Sequence, residues 1–453
     1  MNCIFVTIFN QEKYVEMFYL LLESIYIYGN LDENTNIVIY TSTQFMNKIR
    51  QSHLFNQKIF FEINDVYNDI DKACKARLDL FNLPSIHKYK KILYLDTDIL
   101  VKNDINIIFN VCKEDLLYVL QEGTIDDRKN FWGFSLFGNE INNYKDKTAF
   151  TSGILLFNNC DKIKKLFLKI NEDVIKREYL SHFNDQPYII YNAFKYNCFD
   201  NQVLKSIVVN NDKNIHSDKV IHHFPGKPGV YQHKIVAMTV FLKSMKDFTI
   251  VHNINKAKTY ISDHLIPIIH NCHEKLEGNI FMKHHTTNFS DVFLNKAKNI
   301  SNLVLNKNIK NVMEIGFNAG FSTLLMLISN PYMHITCFDL GEHTYTKPCY
   351  EKIKETFGDR IDIIFGDSTK TLKKITDNYD LIHIDGGHST EVATCDIMNS
   401  VRLSKQGTIL IMDDYDFGNL HALWDEYIIK YNLKNLDINV YNTPQHDIKY
   451  ISF

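Results

Sequence analysis

Short apolar runs that stop abruptly at polar or acidic residues recur along the chain, separated by stretches with apolar residues at helical spacing. Cys3 to Ile8 is a β-rich run closed by a polar turn at Asn10 to Lys13, Tyr14 to Tyr28 has helical apolar spacing, and Asn36 to Tyr40 is a second strand pattern. Strand, helix, strand in this order predicts a doubly wound parallel sheet, whose ligands sit beyond the carboxyl ends of the strands. Ile92 to Leu95 reads as a buried parallel strand, Thr151 to Asn158 as a loop running into another, and His233 to Lys246 as a last helix. From Asn311 an α/β pattern begins afresh, with a strand, a Gly-rich turn and a helix over Thr323 to Ile328. Further strands end near Asp339, Asp367, Asp385 and Asp413. The pattern therefore predicts two α/β units, 1–245 and 281–453, joined by a polar, His-rich linker over 246–280 with helical patches.

Composition narrows the class. With 453 residues the chain exceeds what one core usually serves, which agrees with two domains. The 45% hydrophobic and 23% charged residues are those of an ordinary globular protein. Lys+Arg 50 against Asp+Glu 53 gives net charge −3 with no concentrated basic run, which argues against a nucleic-acid partner. No apolar run reaches the length of a membrane span, and the start reads as a first strand rather than a signal peptide. Nine scattered cysteines without CxxC pairs point to reduced thiols in a cytoplasmic protein and away from a zinc site. The oligomeric state is not legible.

The chemistry of the first unit centres on Asp96-Thr97-Asp98. Two carboxylates at a strand end repel, and burying both is costly unless a cation bridges them; a carboxylate-held Mg²⁺ or Mn²⁺ commonly carries nucleotide phosphates as well. A solvated β-turn is the alternative reading, since Asp-Thr-Asp also forms turns well.

The stretch from Lys72 to Val101, with Ala76-Arg77-Leu78 followed by Tyr-Leu-Asp-Thr-Asp-Ile-Leu-Val, resembles the nucleotide-sugar-binding core of family 8 glycosyltransferases. That resemblance implies a GT-A nucleotide-sugar-binding fold, a UDP-sugar donor, a glycan or sugar acceptor, and metal-dependent transfer with retention at the anomeric carbon. It places Thr7 and Tyr14 at the nucleotide base and Arg77 at the donor's phosphates or sugar. A guanidinium suits a diphosphate because it donates bidentately. For Tyr14 a structural aromatic, and for Arg77 a salt bridge to Asp79 or a neighbouring helix, are the alternatives. Thr151-Ser152-Gly153 followed by an apolar run is similar to the family's Asn-Ser-Gly segment, with Thr151 where asparagine is usual. Asn184-Asp185-Gln186-Pro187 is similar to its Asp-Gln pair, implying that Asp185 binds sugar hydroxyls and Gln186 lies on the nucleophile's face. Asp185 ahead of Pro187 is equally a helix N-cap. His222-His223-Phe224-Pro225-Gly226-Lys227-Pro228-Gly229 is similar to the family's closing motif. By that resemblance His223 is the third metal ligand after Asp96 and Asp98, and Lys227 or Lys234 holds the β-phosphate.

In the second unit, Glu314-Ile315-Gly316-Phe317-Asn318-Ala319-Gly320-Phe321-Ser322 has the spacing Glu-x-Gly-x-x-x-Gly and resembles motif I of class I S-adenosylmethionine-dependent methyltransferases, which implies a Rossmann-like fold. Glycines let the backbone approach a cofactor, and Glu314 orders the loop or meets the aminoacyl end. The resemblance further implies that Asp339 meets the ribose and Asp367 with Ser368 the adenine. Asp385, Asp413 and Asp414 resemble the metal triad of cation-dependent O-methyltransferases, where Mg²⁺ would lower the pKa of a substrate hydroxyl. His388 is the competing base, or a structural turn residue. Together the motifs point to a bifunctional glycan-building enzyme; a methyltransferase carrying a non-catalytic nucleotide-sugar-binding module is the alternative. Which sugar, acceptor and hydroxyl are used is not written in these motifs.

Overall fold

The computed structural model describes residues 1–126, 130–177, 185–226, 231–436 and 440–452. The chain divides into two compact units, one comprising Met1–Arg50 and Leu54–Leu242, the other Gln51–His53 and the chain from Lys243 onward.

The first unit is built on a seven-stranded sheet. Its strands are β1 (Asn2–Ile8), β2 (Thr35–Thr41), β3 (Ile59–Ile63) and β4 (Lys91–Leu95), followed after the short β5 (Ile99–Val101) by β6 (Leu117–Thr124), β7 (Thr148–Asn158) and β8 (Phe199–Asp200). In space they run β3-β2-β1-β4-β7-β6-β8. The first four are parallel, and β7 reverses direction against β4. Strands β1 and β4 are apolar on both faces because both are covered, as continuous apolar runs require in a parallel sheet. The chain's winding reverses between β1 and β4, so their carboxyl ends open a crevice. A second, three-stranded sheet, β5-β10-β9, adds β9 (Val208–Asn210) and β10 (Ile221–His223). Its pairing of His223 with Ile99 carries a histidine from far along the chain to the residues just after Asp98.

Thr151 to Asn158 is strand throughout, part of β7, rather than a loop leading into a strand. Gly123 to Gly138, rich in glycine and aromatics, contains the end of β6 and the start of a 3₁₀ segment over Phe134–Asn143.

The second unit carries β11 (Asn311–Ile315), β12 (His334–Asp339), β13 (Ile361–Phe365), β14 (Tyr379–Ile384), β15 (Ser404–Met412), β16 (Lys434–Asn435) and β17 (Asp447–Tyr450) in the order β13-β12-β11-β14-β15-β17-β16. All are parallel up to β15, and β17 runs antiparallel to it. The winding again reverses next to the first strand, between β11 and β14, and the Gly316 turn and Asp385 lie side by side at that point.

The segment 246–280 differs from the linker its polarity suggests. One helix runs from Tyr231 to Tyr260 and the division between the units falls inside it. It continues through a π turn, Ile261–Leu265, into Ile266–Asn271. Pro267 has no N–H to give the preceding turn, and a local π turn is a common way to absorb that loss. Ile250, Ile254, Ala257, Ile261, Leu265 and Ile269 are buried along this path, so apolar spacing hidden among polar residues makes it part of the second core.

Candidate functional sites

The crevice in the first unit is a cleft of ≈530 Å³ lined by Thr7, Tyr14, Arg77, Asp96, Thr97, Asp98, Asp185, Gln186, His223 and Lys234, among others. Every residue expected at the nucleotide-sugar site is therefore gathered there except Lys227, which lies outside the described residues. Asp96 and Asp98 are not a solvated turn: Asp98 is 5% exposed, and the Asp96 backbone N–H is held by the Gly153 carbonyl at 2.9 Å. His223 Nδ1 meets Asn210 Oδ1 at 2.9 Å, and Asn210 in turn donates to Glu122 at 3.0 Å. With Nδ1 as the protonated nitrogen, Nε2 presents its lone pair, 3.4 Å from Asp98 Oδ1. Asp98 Oδ1 is buried with no hydrogen-bond donor. Asp96, Asp98 and His223 thus bring three ligand atoms within 4.8 Å of one another. An orphaned carboxylate oxygen facing an imidazole lone pair is a donor set that fits a divalent cation. A Cβ on Gly153 would stand 2.8 Å from His223 Cε1 and 3.0 Å from Asp96 Oδ2, so glycine keeps this space open.

Lys234 Nζ lies 2.6 Å from Asp98 Oδ2. Burial opposes charge on Asp98, but the Lys234 ammonium outweighs it and holds the carboxyl below its ordinary range. Arg77 pairs with Asp185, its Nη2 donating to Oδ1 at 3.0 Å and its Nε lying 2.6 Å from Oδ2; it also donates to the Ser152 carbonyl at 2.7 Å and stands 3.4 Å from Asp96. The Asp79 pairing considered from sequence does not form; Asp79 accepts from Tyr40 and Tyr67 instead. Asp185 starts the helix Gln186–Lys195 without a side-chain cap, because its carboxylate is committed to Arg77. Gln186 Oε1 accepts from the Ser152 N–H at 3.0 Å and faces its hydroxyl at 3.2 Å. Tyr14 meets Tyr231 edge-on at 5.1 Å, and Thr7 Oγ1 lies 3.3 Å from the Tyr94 hydroxyl, which itself bonds Asp96.

In the second unit the turn after β11 is fastened by Asp339, whose Oδ2 accepts from the N–H groups of Phe317 (2.9 Å) and Asn318 (2.8 Å), and whose Oδ1 accepts from Gly341 (2.7 Å). Gly316 has φ +95°, and a Cβ there would lie 1.9 Å from the Asp385 carbonyl oxygen, so no side chain is tolerated. Glu314 is fully buried, accepts from Ser322 and Thr323, and meets His383 Nδ1 at 3.0 Å. It orders the turn from beneath, and Ser322 serves it. Asp367 caps the helix Ser368–Thr371 by accepting from the Thr369 N–H at 3.0 Å and pairs with Lys370 at 2.8 Å.

The carboxylates Asp385, Asp413 and Asp414 are near enough to influence one another electrostatically, with a lysine beside the last two. Lys296, from the helix Leu294–Val304, forms ion pairs with Asp413 and, at 3.2 Å, with Asp414. His383 Nε2 (3.3 Å) and His446 Nε2 (3.4 Å) flank the other oxygen of Asp413, and His388 Nε2 lies 3.2 Å from Asp414. Lys296 thus places an ammonium beside two of the three acids expected from sequence to hold a metal, Asp413 and Asp414.

Residues 24–192 match the family model "Glycosyl transferase family 8", and residues 313–415 match "Methyltransferase domain". The chain joins a family 8 glycosyltransferase domain to a methyltransferase domain. It is a transferase, with a GT-A-like first fold and a Rossmann-like second one. None of the curated proteins compared matches it. Among solved structures, the apo-form glycosyltransferase GlyE of Streptococcus pneumoniae TIGR4 is similar at 12% identity over 89% of this chain and 90% of that one (TM-score 0.34). SAH-bound Podospora anserina methyltransferase PaMTH1 is similar at 14% identity over 45% of this chain and 88% of that one (TM-score 0.31). CalS11, a TDP-rhamnose 3'-O-methyltransferase of calicheamicin biosynthesis, is similar at 16% identity over 36% and 79% (TM-score 0.28).

Several residues of both domains escape the motifs. In the glycosyltransferase domain these are Glu122 and Asn210, which orient His223, and Trp132, which lines the cleft. In the methyltransferase domain they are Lys296, His383 and His446. His383 had a legible signal, a polar residue inside the apolar run Leu381-Ile382-His383-Ile384 whose register partner on β11 is Glu314. Lys296 and His446 had none. Among the described residues, no helix is long and apolar enough to cross a membrane.

Proposed function

We propose that the chain is a bifunctional glycan-building transferase. Its first domain transfers a sugar from a UDP-sugar with retention at the anomeric carbon, and its second methylates a hydroxyl of that sugar or a neighbouring one from S-adenosylmethionine. The observation that carries the first half is the buried, donorless Asp98 Oδ1 facing His223 Nε2 at 3.4 Å on the wall of the cleft. Asp96, Asp98 and His223 would hold a divalent cation, Mn²⁺ or Mg²⁺, which would supply charge neutralisation for a departing diphosphate. The chain's own groups do the rest. Lys234, already drawn to this spot by Asp98, supplies a second positive charge for the diphosphate. Arg77 keeps Asp96 and Asp185 at fixed positions, while Thr7 and Tyr14 flank the base. Gln186 and Arg77 both hold Ser152, next to Gly153, where the backbone comes closest to the sugar.

For the second half, the turn Gly316 to Gly320 receives the cofactor's aminoacyl end, with Asp339 fixing the turn, Asp367 and Ser368 beside the adenine, and Asp385 at the adjacent strand end. His388 Nε2 is turned to Asp414, which raises the basicity of the ring and leaves Nδ1 to take the proton as the hydroxyl oxygen bonds the methyl carbon and the carbon–sulfur bond breaks.

The test is UDP release from a panel of UDP-sugars with Mn²⁺, alongside mass spectrometry of acceptors incubated with S-adenosylmethionine. We expect Asp96→Asn to abolish UDP release while S-adenosylhomocysteine binding persists. Donor binding without UDP release from any common donor would reduce the first domain to a binding module. Methylation confined to small phenols would remove the glycan reading of the second.

A further inference from the structure

The second domain contains a cluster that the proposed chemistry leaves unused: a buried lysine among the carboxylates where a divalent ion was expected. Lys296 is 4% exposed and comes from a helix outside the segment matched by the methyltransferase model. A carboxylate has about four lone-pair directions, two per oxygen. At Asp413 both oxygens have a hydrogen-bond partner. Oδ1 accepts the Asp414 N–H at 2.7 Å and the Lys296 ammonium, while Oδ2 faces His383 Nε2 at 3.3 Å and His446 Nε2 at 3.4 Å. Asp414 divides its oxygens between Lys296 and His388. The contrast with the first domain is chemical. Asp98 also has a lysine, but there one oxygen stays without a donor and faces an imidazole lone pair. Asp413 instead has a hydrogen bond on each oxygen, from the Asp414 N–H and from His383 Nε2.

We propose that Lys296 is the resident cation of the methyl-transfer site, standing where a divalent ion would otherwise bridge Asp385, Asp413 and Asp414, so that this domain takes no metal there. The inference rests on the methyltransferase reading of the second domain. An ammonium has three N–H groups. Two are engaged by Asp413 and Asp414, and the third remains for Asp385 or for the oxygen of an acceptor hydroxyl. Placing a fixed positive charge beside that oxygen favours its approach as a nucleophile without a metal, and the charge arrives already paired instead of being recruited from solution.

The experiment uses the full chain with Asp96→Asn and Asp98→Asn, which silence the first site. Mn²⁺, Mg²⁺ and Zn²⁺ are titrated calorimetrically, and bound metal is counted by mass spectrometry after exhaustive EDTA dialysis and reloading. With Lys296 intact we expect no stoichiometric ion, and a melting temperature and S-adenosylhomocysteine affinity that do not change on EDTA treatment. Adding Lys296→Ala removes the internal cation, and Mn²⁺ affinity should rise at least tenfold over the parent. One ion per chain in the Lys296-intact protein overturns the proposal, whatever Lys296→Ala does. Loss of S-adenosylhomocysteine binding in the parent would instead strike the methyltransferase reading itself.

Discussion

Glu314 and His383 are register partners on adjacent parallel strands, and their side chains meet at 3.0 Å inside a sheet where both are fully buried. His383 turns its other nitrogen to Asp413. A single imidazole therefore links the acid beneath the Gly316 turn to the acid beside Lys296.

This link predicts a pH dependence of stability. Burial disfavours the charged imidazole, but the hydrogen bonds it donates to Asp413 and Glu314 outweigh it and raise the His383 pKa from 6.5 to about 10. A folded-state pKa above the unfolded one means stability fully present below pH 6.5 and lost as pH climbs towards 10. His383→Gln should cost about 3–5 kcal/mol at pH 7, the usual range for breaking a buried ion pair, and the difference should shrink by pH 10. Trp132 lies in the first unit and Trp424 in the second, so denaturation of a Trp132→Phe background followed by fluorescence reports the second unit. An unchanged pH profile in His383→Gln would count against the imidazolium.

Asp396 should behave in the opposite sense. It is 1% exposed, neither oxygen makes a well-aligned hydrogen bond, and burial, against the opposing influence of the Ser368 hydroxyl, raises its pKa from 3.8 to about 6. The native state then binds more protons than the unfolded chain between these values, so stability falls as pH rises through that window. Asp396→Asn should gain on the order of 2–3 kcal/mol at pH 8 and nothing at pH 4, as read from denaturation midpoints. Equal midpoints at pH 8 would refute this.

Arg77 holds a carboxylate that has almost no access to water. Removing the guanidinium in Arg77→Met leaves Asp185 buried and unpaired, at a cost of roughly 3–5 kcal/mol. The double variant Arg77→Met with Asp185→Leu should recover most of that loss while remaining unable to release UDP. Chemical denaturation of the first unit measures the recovery, and a double variant as unstable as Arg77→Met would show that Asp185 is not the reason.

Gly153 offers a sharper probe of the cation site. The added methyl of Gly153→Ala falls against His223 Cε1 and Asp96 Oδ2, so Mn²⁺ affinity should drop at least tenfold. Nucleotide-free stability should fall by only about 1–3 kcal/mol, the cost of modest overpacking. Calorimetric Mn²⁺ titration checks the first figure, and undiminished affinity would move the cation away from these residues.

Much of the fold was legible because strand signals are local. Ile92 to Leu95 had to be buried, so the acids that follow had to lie at a strand end, and the Gly-x-x-x-Gly turn after β11 had to begin a helix. The helix from Tyr231 was harder to read, because its buried positions are interleaved with lysines and histidines whose polarity suggests a linker. Asp185 illustrates another limit. Its place before a helix was evident, but capping and pairing with Arg77 make the same local sequence, and only the approach of a distant guanidinium decides between them.

By itself, then, the sequence determined the two α/β units, the strand ends and the acids that close them, since each follows from periodicity within a few residues. Tertiary structure decided which cation answers each acid. Lys234 reaches Asp98 from 136 residues away and Lys296 reaches Asp414 from 118, and no local pattern encodes either meeting. Charges pair through space, and the chain's order along the backbone does not record which elements the packing brings together.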